Sequence, residues 1–442
     1  MRSKFTLIIF LYTALISALA NCYLLLERNI HYLFPVVLVF LFVNFFAGTL
    51  LLNSKQKSLN TCCHGGIILG AFALSSIISV VYHIILIFRL ITSQPFTWIW
   101  STVFCISAEL IIFWNGMISV YGTSSQLSVK QRVIGILFGL IPIANIIVSF
   151  SIIQTALSEV AFEYEKEKQN ESRALESVCS TKYPILMVHG VFFRDTQFFN
   201  YWGRIPQELE RNGARVYYGN HQSALSVEAS AAELTERIKA LVTQLNCEKV
   251  NIIAHSKGGL DCRYAISKSG AAPYVASLTT ISTPHKGCLF ADYLLTKISP
   301  KVKNSTAAAY NATLRRLGEK NPDFLSAVSD LTAERCIQFD RELQIPEGVF
   351  CQSVGSIMPT ARDGQFPLNF SYHLVKHFDG PNDGMVSINS FNFGEKLIML
   401  TPPGTRGISH GDMIDLNRTN IDGFDVREFY VNLVSDLKNK GL

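Results

Sequence analysis

The feature that most constrains this chain is a series of long apolar stretches that fills its first 157 residues and then ends. A hydrocarbon core roughly 30 Å thick asks for about 20 consecutive apolar residues in helical form, because only a helix satisfies its own backbone polar groups there. Five stretches meet that requirement: Phe5–Leu26, Tyr32–Leu52, Gly66–Phe88, Thr97–Tyr121 and Val133–Leu157. Arg2, Lys4, Lys55, Lys57, Lys130 and Arg132 flank one side of these spans, against Arg28 and Arg89 on the other. Basic residues in short loops favour the cytoplasmic side, so the N-terminus is expected in the cytoplasm and everything after Leu157 outside, with the plasma membrane as the expected location. A cleavable leader ending near Ala18-Leu19-Ala20 is a competing reading with the same outcome for the later residues. His83, Glu109, Asn115 and Asn145 fall inside spans, where single polar groups serve either as hydrogen bonds between helices or as a transport or sensing site.

From Ser158 the composition is that of a water-soluble chain. Mixed charges over Glu163–Arg173 read as a solvated stalk, giving three expected regions: helical spans over 1–157, a stalk over 158–180 and a globular domain over 181–442. The net charge of +5 over 442 residues, with no basic stripe carrying aromatics, argues against nucleic-acid binding. The ten cysteines follow no metal-binding spacing. Cys336 and Cys351 are the pair that an exported domain could join, and their redox state is left open.

Beyond Tyr183, strand-length apolar runs alternate with helical patterns, as in an α/β domain whose mostly parallel sheet is covered on both faces. Tyr183–Val188 reads as a strand ending in the turn His189-Gly190-Val191, and Val250–Ala254 as a buried strand running into His255-Ser256-Lys257-Gly258-Gly259. The segment Ala254-His-Ser-Lys-Gly258 occupies the place of a nucleophile elbow, a sharp strand-to-helix bend whose flanking residues must be small. Ala254 stands where such bends usually begin with glycine. A serine hydroxyl needs a base to take its proton and an acid to orient that base, following in the order serine, acid, histidine. Asp383 in Asn382-Asp383-Gly384 and His410 in Ser409-His410-Gly411 fit that order. Asp379 and Asp363 are the fallback acids, and His373 and His377 the fallback bases. Backbone N–H groups of Val191 and Lys257 are the expected oxyanion donors. His189 and His255 are expected to shape their turns and not to bind metal.

Five ordered segments carry a resemblance to the bacterial true lipases, triacylglycerol lipases of the α/β-hydrolase fold. They are Tyr-Pro-Ile-Leu-Met-Val-His-Gly from Tyr183, Ile-Ile-Ala-His-Ser-Lys-Gly-Gly from Ile252, Thr-Thr-Ile-Ser-Thr-Pro-His-Lys-Gly from Thr279, Asn-Asp-Gly-Met-Val from Asn382, and Phe-Asp-Val-Arg-Glu-Phe-Tyr from Phe424. The resemblance leaves the membrane half uncovered. It implies the catalytic triad Ser256, Asp383 and His410, no required cofactor, and a structural calcium steadying the histidine loop, with Asp412 as a ligand and Asp363 as a second. Lys257 departs from the glutamine of many relatives and would alter the charge beside the oxyanion donors. The zinc-binding insertion of the thermoalkalophilic branch is missing, so no zinc is expected. Residues 290–341, helical by pattern, stand where these lipases carry a cap or lid.

The expected activity is cleavage of carboxylic esters of lipids by a membrane-anchored serine hydrolase. A lipid acyltransferase or phospholipase using the same triad remains open. A membrane transporter or sensor carrying a degenerate hydrolase domain is the reading from another class.

Overall fold

The computed structural model describes all residues except 47–51, 140, 142, 143, 192–200, 402, 403 and 405. The chain divides into two compact units, Met1–Ser172 and Arg173–Leu442.

The first unit is helical: α1 (Arg2–Ala20), α2 (Tyr23–Arg28), α3 (Leu33–Phe46), α4 (Lys57–Leu90), α5 (Pro95–Thr123), α6 (Val129–Phe138) and α7 (Ala144–Arg173). Among the described residues, α4, α5, α7 and Ser3–Ala20 of α1 are long and apolar enough to cross a membrane, while Ile30–Phe46 is a shorter apolar helix. Large side chains such as Phe34, Phe45, Phe88 and Phe96 stand exposed on this unit, the reverse of a water-soluble surface. Helices α4 and α5 approach closely through glycine: a Cβ on Gly65 would lie 2.9 Å from the Gly116 carbonyl oxygen, and one on Gly116 2.6 Å from Leu69.

Two sequence expectations change here. The fifth apolar stretch is not one helix: α6 ends at Phe138 and α7 begins at Ala144, around a segment containing Gly139 and Pro142, both poor helix formers. The charged stalk is likewise helical over its mixed-charge run, because α7 continues from its apolar start to Arg173. The polar residues inside the apolar segments bond between helices. Ser75 donates to Glu109 (2.8 Å), Asn21 donates to Ser79 (2.8 Å), and Asn115 donates to the Asn44 side chain (3.1 Å).

The second unit is built on a parallel sheet of β1 (Ile185–Val188), β2 (Val216–Tyr218), β3 (Val250–His255), β4 (Val275–Ile281), β5 (Phe350–Ser356) and β6 (Lys396–Leu400). Their order is β2-β1-β3-β4-β5-β6 and every pairing is parallel. Strands β1, β3 and β4 are buried throughout, as a sheet covered on both faces requires. Alternate side chains enter two cores. Ile185, Met187 and Ile253 meet α8 (Ile205–Arg211) and α16 (Val426–Asn439). Leu186, Val188, Ile252 and Ala254 meet α9 (Val227–Leu245) and α10 (Lys257–Ser267). Helix α9 buries Ala231, Leu234, Ile238 and Leu241 at three- and four-residue spacing and starts at Ser226, whose hydroxyl accepts the Ala229 N–H (3.2 Å).

The chain runs from β1 outward to β2 and then returns to β3 on the other side of β1, so the order reverses between β1 and β3. In open parallel sheets the crevice outside the carboxyl ends at such a reversal is where ligands bind. Val188 pairs with Ala254 there, which sets the His189-Gly190-Val191 turn beside His255 and Ser256. Residues 290–341 fold as α11 (Leu289–Lys297), α12 (Pro300–Arg316), α13 (Phe324–Ser329) and α14 (Ala333–Glu342), inserted between β4 and β5. Cys336 and Cys351 are free thiols in separate apolar clusters, one beside Leu260 and Phe339 and the other beside Leu278 and Val275, so the pair is not joined. Burial pushes each thiol up to about 12.

Candidate active site

Ser256 sits at the bend between β3 and α10 with φ +54 and ψ −131, a conformation that costs a non-glycine residue on the order of 1–3 kcal/mol. The surroundings hold it there. Its N–H donates to the Ile281 carbonyl (2.9 Å), and Thr283 Oγ1 donates to its own carbonyl (2.8 Å). The small neighbours are demanded by space: a Cβ on Gly190 would lie 2.8 Å from Ser256 Cβ, and one on Gly258 2.4 Å from the His189 carbonyl. The bend therefore lies half-buried against the His189-Gly190 turn, at the crevice where the strand order reverses.

Asp383 and His410 reach this crevice from two loops. His410 N–H donates to the Asp383 carbonyl (2.8 Å), fixing one loop against the other, and His410 Nδ1 lies 2.8 Å from Asp383 Oδ2. Asp383 is fully buried, and its Oδ1 accepts the N–H groups of Met385 (3.0 Å) and Val386 (2.8 Å). The amides fill Oδ1 and leave Oδ2 to face the ring, an arrangement in which Nδ1 carries the shared hydrogen and Nε2 stays basic whenever Asp383 is ionised. The turn that presents Asp383 closes on Gly384 at φ +99. The His410 ring lies 4.4 Å from that of His255, the residue before the serine. Among the described residues Ser256 Oγ makes no hydrogen bond to His410, a link that in enzymes without substrate is often long.

The fallback residues have other tasks. Asp379 caps α11 by accepting the N–H groups of Leu289 (3.0 Å) and Phe290 (3.1 Å). Asp363 Oδ2 accepts from Thr360 N–H (2.7 Å). His373 and His377 are exposed on α15 (Leu368–Asp379).

Val191 and Lys257, the expected oxyanion donors, follow the glycine that presses on Ser256 and Ser256 itself, and neither backbone N–H has an acceptor among the described residues. The expectation that Lys257 changes the charge at this point is corrected. Its side chain is fully buried and turns back along α10, donating to Asp261 (2.6 Å) and Ser230 (3.1 Å). Burial raises the Asp261 carboxyl to about 6, against the pull of Lys257.

A residue the sequence reading passed over ties the two turns together. The Tyr201 hydroxyl accepts the Gly190 N–H (3.1 Å) and lies 2.7 Å from His255 Nδ1. The hydroxyl therefore donates to His255, whose imidazole burial keeps neutral. Nothing in the sequence pattern separates this tyrosine from a core aromatic. Its ring packs in the cluster of Trp202, Ile205 and Tyr430.

The calcium implied by the resemblance does not fit the residues present. Both Asp412 oxygens accept from Arg406 Nη2, each at 2.8 Å, and Oδ2 also accepts the Ser409 N–H (2.9 Å) and hydroxyl (2.6 Å). Among the described residues no group of three or more His, Cys, Asp or Glu side chains is placed to hold a metal ion.

Two predictions follow from these contacts. Tyr201→Phe leaves a buried N–H and a buried imidazole nitrogen without their partner, a loss of about 1–2 kcal/mol. Chemical denaturation should register that loss of stability, and an unchanged midpoint would show that this hydroxyl does not tie the two turns together. The second concerns pH. Burial drives His189, His255 and His285 well below 6.5, so below that pH the unfolded chain binds protons that the folded chain refuses. Asp261 acts oppositely between 3.8 and about 6, where the folded chain holds the extra proton. Three groups oppose one, each contributing up to about 1.4 kcal/mol per pH unit. Unfolding of the detergent-solubilised chain should therefore show Tm falling as pH drops from 7 to 5, and a flat or rising Tm would show that these imidazoles are not held neutral.

No family model matches the chain. A triacylglycerol lipase of Vibrio cholerae is 32% identical over 241 residues, covering 49% of this chain and 76% of that protein. The triacylglycerol lipase of Burkholderia plantarii is 32% identical over 180 residues, of which the chain spans half the length. Triacylglycerol lipase 2 of Saccharomyces cerevisiae is 28% identical over 259 residues, 54% of this chain and 74% of that one. Among solved structures, the mature Bacillus licheniformis lipase is similar at 21% identity and TM-score 0.43, covering 57% of this chain and 92% of its own. The Staphylococcus hyicus lipase is similar at 17% identity and TM-score 0.45, covering 59% and 97%. With an ordered parallel sheet, a serine at its strand-to-helix bend and a relative matched over three quarters of its length, the chain belongs to the triacylglycerol lipase family of carboxylic-ester hydrolases.

Proposed function

We propose that this protein is a membrane-anchored lipid esterase that works through a Ser256 acyl-enzyme, with His410 as base and Asp383 as its orienting acid. The observation that carries the reading is the buried Asp383–His410 hydrogen bond, 2.8 Å, formed beside the strained serine bend. In the first half-reaction His410 Nε2 takes the proton of Ser256 Oγ as that oxygen attacks the ester carbonyl. The carbonyl oxygen becomes an oxyanion stabilised by the N–H groups of Val191 and Lys257, each such donor worth about 2.7–4 kcal/mol where measured in other hydrolases. Collapse breaks the ester C–O bond, and His410 returns the proton to the departing alcohol. Water then attacks the acyl-serine with His410 again as base, releasing the fatty acid and restoring the serine. No step calls on a metal.

Residues 1–157 are the anchor in this reading and 181–442 the catalytic domain. Helices α11–α14, lying between β4 and β5, are the cap that admits the acyl chain. In this reading Ile30–Phe46 crosses as well as the four longer helices, so that with the N-terminus in the cytoplasm, as the bias of basic residues favours, five crossings put the catalytic domain outside the cell. A fluorophosphonate should label Ser256 of the full-length protein in detergent and leave Ser256→Ala untouched. Ser256→Ala and His410→Ala should each lower ester turnover by roughly 10³-fold or more, and Asp383→Asn by about 10³–10⁴-fold. Labelling that survives Ser256→Ala would end this assignment. A panel of triacylglycerols, short-chain esters and phospholipids, with and without an alcohol acceptor, identifies the ester and separates hydrolysis from acyl transfer.

A further inference from the structure

The residues that resemblance names for calcium are bridged by an organic cation of the chain itself. Arg406 Nη2 donates to both oxygens of Asp412 at 2.8 Å, and its Nε donates to the Asp363 carbonyl at 2.9 Å. The same Asp412 carboxylate, 6% exposed, accepts the Ser409 N–H and hydroxyl. Ser409 is bonded directly to His410, whose N–H and Nδ1 both engage Asp383. Charge-assisted hydrogen bonds therefore run from the guanidinium through Asp412 to Ser409, whose backbone continues directly into His410.

Calcium takes roughly 6–8 oxygen ligands at about 2.3–2.6 Å. Here the carboxylate of Asp412 is engaged by the Arg406 guanidinium and by the Ser409 N–H and hydroxyl, and the Asp363 carboxylate closes a local turn with Thr360. The guanidinium is planar and permanently charged, with several donors in a fixed fork. It delivers a positive charge to the place where the metal's charge would stand, and it does so from six residues upstream in the same loop.

We propose that Arg406 takes over the part of the structural calcium in this chain: it is a positioning residue that holds the His410 loop through Asp412, and the enzyme needs no divalent cation. The proposal rests on the triad reading above. The loop acts on a base that touches substrate, so its loss should appear in turnover and not in substrate binding. Replacing residues that orient a catalytic group from behind typically costs about 10–100-fold in activity.

The test uses the full-length protein in detergent and has separable arms. Fluorophosphonate labelling of wild-type Ser256 checks the triad alone. In wild type, excess EDTA followed by added calcium chloride should change neither turnover of a p-nitrophenyl ester nor Tm, and calorimetric titration with calcium should show no binding. Arg406→Ala should lower kcat about 10–100-fold with KM nearly unchanged, and Arg406→Lys should recover part of that loss because it restores the charge without the fork. Inactivation by EDTA with recovery on calcium would overturn the proposal even if Ser256 labels normally, as would an Arg406→Ala protein with unaltered kcat. Should Arg406→Ala fail to fold, the wild-type metal titration and the Arg406→Lys variant still decide the question.

Discussion

The whole site hangs on one backbone conformation, the positive φ of Ser256 at the end of β3. A serine left to itself would relax out of that region, so its persistence measures how strongly the neighbours over-determine it. The neighbours are parts of the sheet: the carbonyl of Ile281 at the end of β4, the hydroxyl of Thr283 just beyond it, and Gly190 at the end of β1. Because three adjacent strands share in holding the bend, the geometry of Ser256 is a property of sheet register. Buried, fully paired strands are the part of a domain least able to adjust.

His410, the base of the proposed mechanism, is held by another means. Asp383 and His410 come from separate loops and depend on hydrogen bonds to fixed backbone groups: Met385 and Val386 onto Asp383, the Asp383 carbonyl onto His410, and the Arg406–Asp412–Ser409 line behind the histidine. A rigid serine faced by an imidazole on adjustable loops suits the proposed reaction, in which the imidazole serves first the serine and then a water. Tyr201 joins the walls of the crevice, since one hydroxyl meets both the Gly190 turn and His255.

Much of this was legible in the residues because the signals are local. A buried strand that runs into small residues around a serine gives the bend, and Asn382-Asp383-Gly384 gives a turn that needs glycine at its close. What could not be read depends on where long side chains go. Lys257 looked like a charge beside the oxyanion donors, but an i,i+4 carboxylate at Asp261 draws it into the interior. Nothing in the sequence marks Arg406, and only the folded loop brings its guanidinium onto Asp412. Tyr201 was hidden among core aromatics. In the helical unit, hydropathy found the apolar runs but not the interruption between Phe138 and Ala144, because Gly139 and Pro142 scarcely change a windowed average while they do disfavour helix. The polar residues of the apolar helices illustrate the same point. Glu109 has its serine partners on α4, and only helix packing identifies them.

The central claim is that Ser256 stands between His410 Nε2 and the amides of Val191 and Lys257. It is tested most directly by a structure of the full-length protein carrying a covalent phosphonate on its nucleophile. The account predicts phosphorus on Ser256 Oγ, one phosphonyl oxygen within hydrogen-bond distance of both amides, and His410 Nε2 facing the ester oxygen while Nδ1 keeps Asp383. Phosphorus on another side chain, or a phosphonyl oxygen that meets neither amide, would contradict it.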